Sequence, residues 1–230
     1  MAVIYLPYLF SEIAFKKRIE PIIPQLEEDN FEALLGMARE TLDNNPELWN
    51  ALYNLNIGFT FEDEAEKTTP HTLLMKVLVQ FLEPIEVPQV WLWIVLEHVL
   101  PMIGWSDVDT RTLIVGESLC TLLAPDVHQP PKEFFSRAAY KESAAPWCEG
   151  SVGWLGQEKI RKYRHLLLKS KSEFYRLSNN PPKTIGKARH GLPDYPKEWL
   201  CERLIPSYEA ILHVYDLAFQ QERSLVLGIA

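Results

Sequence analysis

The stretch Val90–Trp105, VWLWIVLEHVLPMIGW, is hard to place anywhere but in an interior. Trp91, Leu92, Trp93, Ile94, Val95, Leu96, Val99 and Leu100 follow one another almost without a polar residue. A helix that is apolar all round is buried on most sides. The stretch is too short to span a bilayer. Its uncharged run, Val87–Leu96, ends at Glu97-His98 after ten residues, whereas a span needs about 20. It is expected to form a central core helix stopped near Pro101 and Gly104. A buried strand over Trp91–Leu96 is the alternative, because periodicity alone does not separate the two.

The rest of the chain carries enough apolar surface to close around such an element: 47% of the 230 residues are hydrophobic and 11% aromatic, which excludes a disordered chain. Seventeen prolines imply many short elements with firm stops, and no period of 20–50 residues recurs. Met1–Phe10 is apolar, with no basic residues before it and no small-residue cleavage site after it, so it reads as a first strand. Cys120, Cys148 and Cys201 are odd in number and widely spaced. That usage fits structural thiols in a reducing cytoplasm better than a disulfide framework or a zinc site.

In order, Ala2–Leu9 suits an edge strand because it contains Pro7. Glu12–Glu20 forms a short helix, after which Pro21 and Pro24 break the chain. Asp29 or Asn30 caps a helix from Phe31 to about Leu42, with Leu34, Leu35, Ala38 and Leu42 at helical spacing. Asp43–Pro46 is a turn, Glu47–Leu55 a helix and Gly58–Thr69 an acidic loop. Pro70 opens a helix with Leu73, Leu74, Val77, Leu78 and Phe81 on one face, ended by Pro84 and Pro88. Thr112–Val115 is a short β-branched run, and Gly116-Glu117-Ser118 turns into a helix through Leu123. Pro130-Pro131 precedes an amphipathic segment, Lys132–Lys141. Ser151–Leu155 feeds a long helix, Gln157–Leu177, with Ile160, Tyr163, Leu167, Phe174 and Leu177 inward. Ser178–Pro196 is a long connection. The last helix, Lys197–Glu222, breaks at Pro206 and carries Tyr208, Ile211, Leu212, Tyr215 and Phe219 as its stripe. Ser224–Ile229 closes the chain as a strand. The expected class is α+β: one mostly helical domain over residues 1–230, with a small sheet that includes the N- and C-terminal strands. A helical N-terminal subdomain over 1–88 is an optional division.

Trp91–Leu100, then Ile114-Val115-Gly116-Glu117-Ser118, then Gly153-Trp154-Leu155 opening a helix, and finally Tyr208, Ala218 and Leu225-Val226-Leu227, occur in an order that resembles the uncharacterised bacterial YfbM-like proteins. The resemblance covers mainly Trp91–Ala230. It implies a small cytoplasmic α+β domain and carries over no catalytic residue.

Among motifs, Gly116-Glu117-Ser118-Leu119-Cys120 is the nearest to a catalytic one. A nucleophile elbow, G-x-S-x-G between strand and helix, lifts its serine above a sheet. Here Cys120 replaces the last glycine. His128, His165, His190 or His213 would supply a base, and Asp126, Asp194 or Asp216 an orienting acid. The alternating β-α pattern of a hydrolase is missing upstream, and Ser118 is more simply a helix N-cap. Glu97-His98 lacks the spacing that sets two ligands on one helix face, and neither phosphate-loop glycine motif occurs. No metal or other cofactor is expected.

Charge is more informative. Glu20–Glu66 holds twelve acids against Arg39 alone, and Lys159–Arg189 ten bases against Glu173 alone, within a chain of net charge −8. Such separation bears on partners. The first expectation is a non-enzymatic cytoplasmic protein that binds another protein, of which a toxin-neutralising immunity protein is one form. Glu62, Asp63, Glu64 and Glu66 would dock a basic partner; Lys159, Arg161, Lys162, Lys187 and Arg189 form the opposite surface. A hydrolase built on Ser118, and a polyanion or nucleic-acid binder using 159–189, are the alternatives. No membrane contact is expected.

Overall fold

Both ends of the chain meet in one ladder. Tyr5–Phe10 (β1) and Ser224–Ile229 (β4) run antiparallel from Tyr5↔Ile229 to Phe10↔Ser224. The computed structural model describes residues 5–27, 32–48, 70–88, 99–117, 122, 151–180 and 197–229. Between the two strands come α1 (Glu12–Ile19), α2 (Ile23–Glu27), α3 (Glu32–Asn44), α4 (Pro70–Leu78) and β2 (Leu82–Pro84). A helical turn (Leu100–Met102), α5 (Asp107–Val115), β3 (Ser151–Leu155), α6 (Gln157–Asn179) and α7 (Lys197–Gln220) follow. The sheet order is β2-β1-β4-β3, with every pair antiparallel. This is the α+β architecture with terminal strands in one sheet.

The sheet is buried on both faces. Tyr5, Leu9, Leu155, Leu225 and Leu227 point into a layer built by α5, α6 and α7. Tyr8, Phe10, Val152, Trp154 and Val226 point the other way, into α1, α3 and α4. Side chains alternate along a strand, so covering both faces demands apolar residues at every position. That is why β1 and β4 read as nearly continuous apolar runs. The chain between β1 and β2 supplies one layer, and α6 and α7, between β3 and β4, supply most of the other.

Several expectations are corrected. β1 is an inner strand despite Pro7. The Pro7 carbonyl accepts from Ile85 N at 2.9 Å, so its nitrogen also faces the β2 side, where that short ladder ends at Pro84. Nothing there needs the missing donor. α1 ends just before Pro21, and Pro21 and Pro24 mark two short pieces rather than a loop. Each falls in the first turn of a new piece, the 3-10 turn Glu20–Ile22 and α2, where a proline N–H would have no partner anyway. α4 is buried from Leu73 through Val79, not on one face alone, and its end continues through a 3-10 turn into β2, a strand too short to leave a periodic trace. α7 runs through Pro206 unbroken. Pro206 and Glu202 both lie on the exposed side, where water can satisfy the carbonyl that loses its helical donor.

Of the apolar stretch Val90–Trp105, residues 89–98 lie outside the described ones, as do 49–69, 123–150 and 181–196 with the elements expected there. Val99 and Leu100 are fully buried beside the α5–α7 layer. Pro101 lies in the first turn of the short helical piece that follows, and Gly104, at φ +90°, turns the chain toward Trp105.

Polar contacts fasten the junction. Ser224 Oγ bonds Glu12 Oε2 at 2.5 Å, 212 residues away. Arg223 reaches Glu83 and the Leu9 carbonyl. The Gln157 amide donates to the carbonyls of Ala218 and Arg223 at 3.2 and 2.5 Å. Leu225, Val226 and Leu227 are each fully buried, and burying such a side chain contributes about 1.5–3 kcal/mol. Three of them rival the whole stability of an ordinary domain, about 5–15 kcal/mol. Deleting residues 224–230 is therefore expected to unfold the entire domain, measured by circular dichroism and thermal melting. A truncated protein that melts at the unaltered temperature would contradict this.

Candidate functional site

The long helix α6 carries the charge asymmetry into three dimensions. Ile160, Tyr163, Leu167, Phe174 and Leu177 are buried on its inner face. Glu158 lies in its first turn and Arg176 in its last, the order the helix dipole favours. Lys159, Arg161 and Lys162 stand on this helix, as the sequence places them. Lys187, Arg189, Ser118, Glu62, Asp63, Glu64 and Glu66 lie outside the described residues.

Most of the helix's cations are already matched. Lys159 meets Glu117 at 3.0 Å, Lys162 meets Asp109 at 2.6 Å, Arg164 meets Asp216 at 2.5 Å, and Arg176 meets Glu173 at 2.6 Å. Arg164 also sits over the Phe219 ring and Lys171 over Tyr175. Arg161 and Lys169 have no ion pair among the described residues. The matching acids come from α5, α7, α6 itself and the residue after Gly116. Among the described residues none comes from the acidic segment Glu20–Glu66, whose described helices lie across the sheet.

Asp109 anchors one side of a cleft. Ser106 caps α5: its Oγ accepts from Asp109 N at 3.0 Å and bonds Asp109 Oδ2 at 2.8 Å. Lys162 and the Tyr163 hydroxyl reach Oδ1. Trp105, almost buried, stacks on Tyr163 with ring centroids 6.3 Å apart and donates its indole N–H to Ser170 Oγ at 2.9 Å. Tyr163 in turn meets Tyr215 edge-on, whose hydroxyl donates to the Leu113 carbonyl at 2.7 Å. Between the 103–109 segment and α6 is a cleft of about 250 Å³, bordered by Ile103, Trp105, Leu166, Lys169 and Ser170, with Asp109 and Glu173 at its walls. Sequence inspection did not single out Trp105, Asp109 or Ser170. The Ser106-x-x-Asp109 capping spacing was the available signal.

The serine motif has a different setting from an elbow. Thr112–Val115 is the last turn of α5, not a strand; its β-branched run is overridden by the Ser106 cap and by Leu113 and Ile114 packing inward. Gly116, at φ 76° and ψ −163°, holds a backbone shape essentially restricted to glycine. Glu117 then exchanges backbone hydrogen bonds with Trp154 of β3 at 2.8 and 2.9 Å. A Cβ on Gly116 would stand 2.7 Å from Trp154 N, and one on Gly153 2.1 Å from the Val115 carbonyl. The first glycine is thus accounted for by close packing on β3. His165 and His213 are exposed and Asp216 is held by Arg164; the other candidate bases and acids lie outside the described residues.

Among the described residues no three metal-ligating side chains gather, and no helix is long and apolar enough to cross a membrane. No family model, curated protein or solved structure matches the chain.

The Lys162 hydrogen bond, then that of Ser106, hold the Asp109 carboxyl below its usual range. A depressed value stabilises the fold above the ordinary carboxylate range, and the gain is lost as the pH falls through the depressed one. With Asp109 still 27% exposed, screening limits the effect to about 1 kcal/mol. Asp109→Asn is expected to lower unfolding free energy by about that much at neutral pH. The difference from the native protein should close in acid, as followed by urea titration across pH. A difference that stays constant into strong acid would rule out the carboxylate's charge as its source.

Proposed function

We propose that the protein is a non-enzymatic binding protein whose acidic side engages a basic protein partner, with toxin neutralisation of the immunity type as one concrete form. The observation that carries this is where the counter-charges of α6 come from. Asp109, Glu117, Glu173 and Asp216 pair with four cations of the basic helix within its own layer, and among the described residues no acid of Glu20–Glu47 is spent on it. Glu20, Asp43 and Glu47 are exposed and have no ion pair among the described residues; Glu40 is held by Arg18. With Glu62, Asp63, Glu64 and Glu66 close by in sequence, such a surface raises the encounter rate with a basic partner. A cytoplasmic location, inferred from the odd number and wide sequence spacing of the three cysteines, and kinship with the YfbM-like proteins belong to the same proposal; that family brings no catalytic residue to conflict with it.

Replacing Asp43, Glu47, Glu62, Asp63, Glu64 and Glu66 with their amides tests it, using a partner captured from the source cell at low and at high salt. Association is expected to slow by about tenfold or more at low salt and to lose much of its salt dependence. Stability should change little, since exposed pairs contribute about 0–1 kcal/mol each. A partner whose association rate ignores both the substitutions and the salt would defeat the proposal.

A further inference from the structure

The cleft beside α6 lies in the opposite layer from the acidic side and does not depend on it. At about 250 Å³ it is smaller than the about 300–1,000 Å³ typical of small-molecule sites, which leaves room for one inserted side chain rather than a cofactor. Its lining is mixed, with Ile103, Trp105 and Leu166 beside Asp109, Lys169, Ser170 and Glu173. Trp105 is fixed by the Ser170 hydrogen bond and by stacking on Tyr163, with Ile103 and Leu166 only partly buried at its walls. Met102 and Leu168, each next in the chain to a residue bordering the cleft, are exposed at 48% and 42%.

Charge around the cleft is uneven. Its two acids are both engaged, Asp109 by Lys162 and Glu173 by Arg176. Lys169 at the wall is not engaged among the described residues. Arg161 and His165 stand two turns and one turn before it on the same exposed stripe of α6, the spacing that aligns side chains on one helix face. Phosphate binding draws on many cations at once, and with Lys159, Lys162, Arg164 and Arg176 tied down only Arg161 and Lys169 remain without an ion pair on this stripe among the described residues. One free lysine at the mouth of an aromatic-floored cleft suits a different ligand.

We propose that this cleft docks an acidic peptide segment of a partner protein, with one large apolar side chain inserted against Trp105 and an adjacent carboxylate paired with Lys169. Interface energy concentrates in such buried anchors, with charge giving orientation and rate.

The test is a titration of the full chain with a short synthetic peptide of Glu and Asp bearing one central Phe. It is followed by fluorescence anisotropy and by the indole N–H resonance of Trp105. Binding is expected, with that resonance shifting. Lys169→Ala should weaken binding by about tenfold, Lys169→Arg should restore most of it, and a peptide with Ala for Phe should also lose about tenfold. Lys169 is exposed, so an unaltered melting temperature will show that the variants are folded. Absence of binding, or binding indifferent to Lys169→Ala, overturns the proposal. So does a single-stranded oligonucleotide that binds more tightly than the peptide and loses affinity in Lys169→Ala, because that surface would then be reading phosphate.

Discussion

The antiparallel pairing of β1 with β4 is the interaction on which the remaining structure depends. It joins residues more than 200 positions apart and sets the two inner strands of a sheet that has no wet face. Without it, β3 and β4 would keep α6 and α7 on one side but expose Val152, Trp154 and Val226 on the other. β1 and β2 would likewise lose the layer that covers Tyr5 and Leu9. Each half supplies the cover the other lacks. Closing so long a loop before the contacts form is slow, and the polar fastening around Glu12, Arg223 and Ser224 acts where the two halves join.

The same sheet governs the electrostatics. By setting α3 in one layer and α6 in the other, it keeps the acidic segment's described helices from meeting the basic helix. Four cations of the basic helix are paired locally instead, by acids of which the sequence charge count associates only Glu173 with it. Individually these surface pairs contribute little to stability. Among the described residues, Lys169 and Arg161 on one side of the sheet and Glu20, Asp43 and Glu47 on the other have no ion pair.

Much of this was legible in the residues. The period of Ile160, Tyr163, Leu167, Phe174 and Leu177 is strong enough over 23 residues that no tertiary contact overrides it. The apolar terminal runs AVIYLPYLF and SLVLGI declared strands at both ends. Less legible was whatever depended on neighbours. Pro7 looked like an edge residue because its missing donor counts only on the side that carries a partner, and that partner stops at Pro84. Thr112–Val115 looked extended by β-branching, yet capping at Ser106 and burial of Leu113 and Ile114 make it helical. The cleft was hidden because Trp105 and Ser170 are 65 residues apart and are joined by a single side-chain hydrogen bond.

Native-state hydrogen exchange of the paired amides in β1 and β4 tests the central claim most directly. If the two strands hold both layers together, those amides should exchange only through global unfolding. Their opening free energy should then match that from denaturant titration, within the about 5–15 kcal/mol of an ordinary domain, and should equal that of buried amides in both α3 and α6. Exchange of β1 and α3 at a much lower free energy, with β3, α6, α7 and β4 still protected, would show two independent units and contradict the account.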